Sequence, residues 1–200
     1  MKPTLFLAGA LAAFCTGAQA QSLVVCSEAS PDALNAALST ANTTFDVAEQ
    51  YGDRLVEMEI GGSKLVPGLA ESWTISDDGL RYTFKLRRGV KWQSSNAFKP
   101  TRDLNADDVL FTFNRAFDKN HPFYKVGGGN YPLFATLVEP SLKAISKTDD
   151  STVVLELKAP QAALLSALSV QPFTIQSAEY ADAMQKAGTP DQLDLTPIGT

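Results

Sequence analysis

The chain has 200 residues, of which 44% are apolar, 20% charged and 9% aromatic, the composition of a core-forming protein rather than a disordered one. Lys and Arg total 17 against 22 Asp and Glu, a net charge of −5 with a pI near 4.9, so the basic footprint of a nucleic-acid binder is missing. No window supplies the ~18 consecutive apolar residues of a membrane span, and a helical membrane protein is not expected.

Residues 1–20 carry one positive charge at Lys2, an apolar stretch over residues 5–14, and the small-residue ending Ala18-Gln19-Ala20. This is the pattern of a secretory signal peptide cut after Ala20. Phe14 precedes Cys15 where a lipoprotein signal wants a very small residue, so lipidation is not expected. Export leaves Cys26 as the sole cysteine of the mature chain in an oxidising compartment. It is either a buried free thiol or half of a disulfide whose partner lies outside this chain.

Leu23-Val24-Val25-Cys26 reads as a short buried strand, ended by the polar run to Pro31. The polar loop of residues 39–44 follows, and Thr43 with Asp46 three residues on matches a capping box. Val47, Tyr51 and Leu55 then recur every four residues, which predicts a helix from near Thr44. Trp73 and Ile75, the turn Asp77-Asp78-Gly79, and Tyr82, Phe84 and Leu86 predict a hairpin. Arg88-Gly89 marks a turn before a strand at Val90-Lys91-Trp92. Asn105 is a good N-cap for a helix reaching about Phe117, with Asp107 and Asp108 in its first turn and a core stripe at Val109, Leu110, Phe113, Ala116 and Phe117. A strand over residues 153–157, a helix from Pro160 to Leu168, and a helix from Ser177 to Lys186 stopped by Gly188 complete an α+β pattern with a mostly antiparallel sheet.

No constellation of catalytic type emerges. The single His, His121, has no nucleophile motif to serve and reads as an exposed loop residue. Gly127-Gly128-Gly129 lacks the Lys-Ser/Thr of a phosphate cradle and reads as a flexible loop. Asp103, Asp107 and Asp108 lack the alternating spacing of a calcium loop and read as helix capping. Asn42-Thr43-Thr44 is formally a glycosylation sequon. Trp73, Tyr82, Phe84 and Trp92 have strand spacing and read as core. The most ligand-like stretch is the loop of residues 39–44, which joins hydroxyl and amide side chains, free backbone groups and a helix start. A plain capping loop explains it equally well.

Three segments carry a resemblance: Val66-Pro67-Gly68-Leu69-Ala70-Glu71-Ser72-Trp73, the run from Asp78-Gly79-Leu80-Arg81-Tyr82 to Gly89-Val90-Lys91-Trp92, and Leu104-Asn105-Ala106-Asp107-Asp108-Val109. Together they resemble the signature of the extracellular solute-binding proteins of peptide-type ABC importers. Leu23 to Glu28, the loop from Thr40 to Asp46, Phe98-Lys99-Pro100-Thr101-Arg102 and Glu179 to Pro190 narrow the resemblance to the dipeptide-binding branch. The likeness covers essentially all of residues 22–200.

The resemblance implies a non-enzymatic receptor of mixed α/β fold whose two lobes close on a peptide, with no cofactor or metal. Its partners would be a dipeptide, an inner-membrane ABC permease and, as a further candidate, a chemotaxis receptor; its compartment would be the periplasm. Such receptors are much longer, so the sequence reads as an amino-terminal fragment with the second lobe absent. Residues 21–52 would begin the ligand-facing lobe, 53–195 would form an inserted subdomain, and 196–200 would begin the return. The Asp and Arg that hold the peptide termini come from the second lobe. On this chain the resemblance assigns ligand contact to Thr40, with Ala41, Asn42 and Thr43 beside it, although Ser and Gly are expected at the Ala41 and Asn42 positions. It also implies that Cys26 is disulfide-bonded to a cysteine beyond residue 200. Sibling carriers of the family take oligopeptides, glutathione, haem or a nickel chelate. A secreted hydrolase is the alternative from a different class.

Overall fold

Strand-period alternation around tight turns builds the centre of the fold, and helix-period stripes cover it. The computed structural model describes residues 26–96 and 98–200. The expected leader, Cys15 and residues 23–25 of the expected first strand lie outside the described residues. Cys26, which would end that strand, is exposed and in no strand, so the buried-thiol alternative is overturned. In chain order the elements are α1 (Asn42–Ala48), β1 (Val56–Met58), β2 (Leu65–Pro67), β3 (Ala70–Ile75), β4 (Arg81–Leu86), α2 (Ala106–Phe117), α3 (Pro132–Leu137), β5 (Leu142–Asp149), β6 (Thr152–Leu157), α4 (Leu164–Leu168), α5 (Ala178–Lys186) and α6 (Gln192–Leu195). Short 3-10 turns occupy Ala36–Leu38, Val126–Gly128 and Gln171–Phe173. Strands β3, β4, β6 and β5 pair antiparallel in that order, and β1 pairs with β2.

The expected hairpin is β3–β4, with Trp73 opposite Phe84 and Ile75 opposite Tyr82, and its turn passes through Gly79 at φ 69°. Tyr82, Phe84 and Leu86 point into the core, while Trp73 is only half-buried because β3 is a sheet edge. On the inner strand β6, Val153, Val154, Leu155 and Leu157 are all buried. Helix α2 lies against β5, β6 and α5 through Val109 and Phe113. Each fully buried side chain of this size contributes roughly 1.5–3 kcal/mol. Asn105 caps α2 as expected, its side chain accepting from Asp107 N at 2.9 Å while the Asp108 carboxylate accepts from Asn105 N at 3.0 Å. Ser177 caps α5 by accepting from Tyr180 N at 3.1 Å, and Gly188 beyond its end has φ 76°.

Other expectations are corrected. The helix predicted from Thr44 toward Leu55 is only α1, because the chain turns through residues 49–52 and leaves Leu55 buried outside any helix. The Thr43–Asp46 capping box does not form: the N-cap is Ala41, and Thr43 lies buried inside the helix. Val90-Lys91-Trp92 is no strand. Its backbone is held by isolated bonds, Leu104 N to Val90 O and Gln93 N to Gly199 O, rather than by a ladder, though Trp92 is buried as expected. The helix predicted from Pro160 starts only at Leu164.

Candidate functional site

The loop of residues 39–44 is held in shape by one carboxylate. Asp32 Oδ1 accepts from Ser39 Oγ and from Thr44 Oγ1, both at 2.6 Å. These two hydroxyls hold the Asp32 carboxyl below the usual carboxylate range. Ser39 Oγ accepts in turn from Ala41 N at 2.9 Å, so the hydroxyl cap of α1 comes from the residue two positions before the N-cap. Thr44 Oγ1 also accepts from Ala33 N at 3.3 Å. The loop is thereby stapled to residues 32–33.

Within that frame the four expected ligand residues separate. Thr40 is exposed, and among the described residues its hydroxyl meets no hydrogen-bond partner. Ala41 is half-buried. Asn42 is exposed and Thr43 is buried, and both line an open groove of about 1130 Å³ between residues 26–31 and the outer face of α1. Phe45, Asp46, Glu49, Gln50 and Tyr51 continue that wall. Clefts for small ligands run to roughly 1,000 Å³, so the groove has room for a short peptide. Thr40 and Ala41 stand outside its lining, at the head of the helix that forms it. Cys26 lies at the groove, exposed and without a partner among the described residues.

The remaining candidates resolve differently from expectation. His121 is half-buried rather than exposed: its ring packs edge-on against Phe111 at 5.4 Å, and its Nδ1 accepts from Phe123 N at 3.2 Å. Burial lowers its pKa below the ordinary 6.5, against the charge of Asp118. Gly127 is not a loose loop residue, because a Cβ there would run into Leu38 and into Asp194 Oδ2. Of the three aspartates only Asp108 acts as a cap. Asp108 also receives both Arg102 nitrogens at 2.6 and 2.7 Å, Asp103 pairs with Lys91, and Asp107 pairs with Lys147.

Sequence reasoning missed a buried polar cluster behind the loop. Arg115, 1% exposed, donates to Asp194 Oδ2 at 2.6 Å, Gln176 Oε1 at 2.7 Å, Tyr131 Oη at 3.1 Å and Val126 O at 3.2 Å. Asn35 Nδ2 donates to Asp194 Oδ1 at 2.6 Å, and Asn35 Oδ1 accepts from Ala37 N at 3.0 Å and from Gln176 Nε2 at 3.2 Å. Burial opposes the Arg115 charge, but Asp194 outweighs it and raises the guanidinium pKa. Only an arginine in a helix rich in apolar residues signals this cluster in the sequence.

Residues 64–200 match the model of bacterial extracellular solute-binding proteins, family 5, middle region. The dipeptide-binding protein of Escherichia coli is 50% identical over 184 residues, which is 91% of this chain and 34% of that protein. Haem-binding protein A of Haemophilus influenzae is 46% identical over 88% of this chain and 33% of that protein. The structure of a dipeptide-binding protein from Pseudoalteromonas sp. SM9913 in complex with Met-Leu superposes with a TM-score of 0.84 at 36% identity, covering 88% of this chain and 35% of that one. The chain thus spans about a third of the length of these relatives, consistent with part of one lobe. With this family match over residues 64–200, and with a fold shared with a dipeptide-binding relative, the chain belongs to the bacterial extracellular solute-binding proteins of family 5.

Proposed function

We propose that the chain is the amino-terminal part of the substrate-binding receptor of an ABC importer, which captures dipeptides in the periplasm and delivers them to an inner-membrane permease. The observation that carries this reading is the superposition, over most of the chain, on a relative whose structure holds Met-Leu. The 50% identity to a dipeptide-binding protein supports it. Thr40, with Ala41, Asn42 and Thr43, is the ligand-contacting segment of this lobe. A carrier of many dipeptides gains from contacts to what all dipeptides share, the backbone and termini, and a loop of small side chains with accessible backbone groups suits that. Closure of the two lobes then converts ligand affinity into a state the permease recognises.

In this reading residues 1–20 are a leader cleaved after Ala20, without lipidation, and Cys26 pairs with a cysteine outside the chain. Residues 53–195 are an inserted subdomain, and 196–200 return to the ligand-facing lobe. Support for that division comes from the close approach of the return segment to the start of the inserted one, where Thr200 Oγ1 donates to Asp53 Oδ2 at 2.7 Å. The alternative reading is a sibling carrier whose ligand is haem, favoured by the 46% identity to a haem-binding relative.

The test is calorimetric titration of the full-length gene product with dipeptides, a tripeptide, a pentapeptide, glutathione and haem. Micromolar or tighter binding confined largely to dipeptides is expected. Binding of haem or glutathione without dipeptide binding would overturn the dipeptide assignment while leaving the family intact.

A further inference from the structure

We infer that Asn35, Asp194 and Arg115 are positioning residues that hold the ligand loop at residues 40–43 from behind, without touching the ligand. The inference rests on the assignment of that loop as the ligand segment. Four residues separate Asn35 from Thr40, and the turn they form starts at the Asn35 side chain. Its Oδ1 caps the 3-10 turn Ala36–Leu38 by accepting from Ala37 N, and Ser39 N closes that turn by donating to Ala36 O at 3.2 Å. Ser39 then supplies the hydroxyl that orders Ala41 N. The Asn35 amide therefore sets the start of the segment that ends in the N-cap of α1.

That amide is itself fixed from 159 residues away by Asp194, at 2.6 Å. Asp194 uses its two oxygens separately, Oδ1 for Asn35 and Oδ2 for Arg115. Arg115 is anchored on α2 and locked by Gln176, Tyr131 and Val126. A second, independent contact presses the same turn: Gly127, at φ 74°, approaches so closely that a Cβ would collide with both Leu38 and Asp194. Four distant segments thus converge on one short turn. An ion pair this deep is a poor device for stability alone, since apolar replacements of similar volume stabilise as well or better. Its geometric value is that Asp194 can satisfy both partners in only one arrangement of the loop.

A charge pair that positions a loop predicts local loosening, not general weakening. The experiment uses the full-length protein with Asn35→Ser and Asp194→Asn. Serine at residue 35 retains an N-cap oxygen for Ala37 N but loses the reach to Asp194, so it separates the cap from the link and is a mild change should Asp194→Asn fail to fold. In the ligand-free proteins, backbone amide exchange at residues 37–41 is expected to accelerate about tenfold while β4 keeps its wild-type rates. Affinity for the probe dipeptide Met-Leu is expected to fall roughly three- to tenfold, as for a binding-competent state that is only partly populated. Unchanged exchange at residues 37–41 in folded Asn35→Ser would overturn the inference, as would a uniform acceleration that includes β4. Failure of the wild-type protein to bind any dipeptide would instead overturn the ligand assignment, and the exchange comparison decides the positioning role separately.

Discussion

Thr40 and His121 show how one side chain's surroundings decide its use. The hydroxyl of Thr40 is exposed and meets no partner among the described residues, whereas the neighbouring hydroxyls of Ser39 and Thr44 are consumed by Asp32. A hydroxyl left over beside two that are consumed is available to a guest. Thr40→Ala is expected to weaken dipeptide binding by about 1 kcal/mol, the net worth of one hydrogen bond, in titrations of the full-length protein. An unchanged Kd removes Thr40 from the site. His121 is placed to report on acidity instead. Burial against Phe111 lowers its pKa, so the native state binds fewer protons at this ring than the unfolded chain does. Stability from this site is therefore present above about pH 6.5 and is lost as pH falls below it, where the unfolded imidazole charges first. Thermal unfolding between pH 7 and pH 5 is expected to show a smaller drop in Tm for His121→Gln than for the wild type. Equal slopes would mean that the ring titrates alike in both states.

At the scale of elements, α2 shows what a sequence states openly. Asn105, Asp108 and the apolar stripe form a complete helix start in one stretch of chain, and the structure keeps all of it. Asn105→Ala removes the acceptor for Asp107 N and is expected to cost about 1 kcal/mol by chemical denaturation. No change would mean that the reciprocal bond from Asp108 suffices. The β3–β4 hairpin was equally legible, because its turn and its alternation are local. What stayed hidden depends on distant partners. Strand β5 carries Lys143 and Lys147 and polar residues along most of its length, as an edge strand can, so its alternation is too weak to read. Strands β1 and β2 have three residues each, below the length at which a pattern exists. The Thr43–Asp46 pair looked like a cap, yet Ser39 and Asp32 already ordered the loop and moved the helix start to Asn42. The candidate site divided in the same way: the loop was visible as a polar stretch, but the Asp194 and Arg115 behind it are joined to Asn35 only by folding.

Over the whole molecule, two stretches far apart in sequence meet at one point. Residues 51–53 pass beside residues 198–200: a Cβ on Gly199 would overlap the Tyr51 carbonyl, Gln93 N donates to Gly199 O at 2.8 Å, and Thr200 Oγ1 reaches Asp53. Ile175 N donates to Asp53 O at 2.9 Å on the other side of the same strand of chain. Ile198 is buried in the core, so the approach is packed rather than incidental. Such a crossing lets a long segment be inserted while the two flanking stretches stay in register, which is what the proposed division at residues 53 and 195 requires. Gly199 matters here for space and not for backbone freedom, since its conformation is outside the left-handed region. A methyl group at residue 199 must displace the Tyr51 backbone or break the bond from Gln93. Gly199→Ala in the full-length protein is therefore expected to cost about 2 kcal/mol, the scale of an overpacked contact, and to lower Tm. Tyr51 belongs to the groove wall, so the same variant is also expected to weaken dipeptide binding beyond the effect of Asn105→Ala, a milder change outside the groove lining. Equal affinities for these two variants would show that the crossing supports the fold without shaping the site.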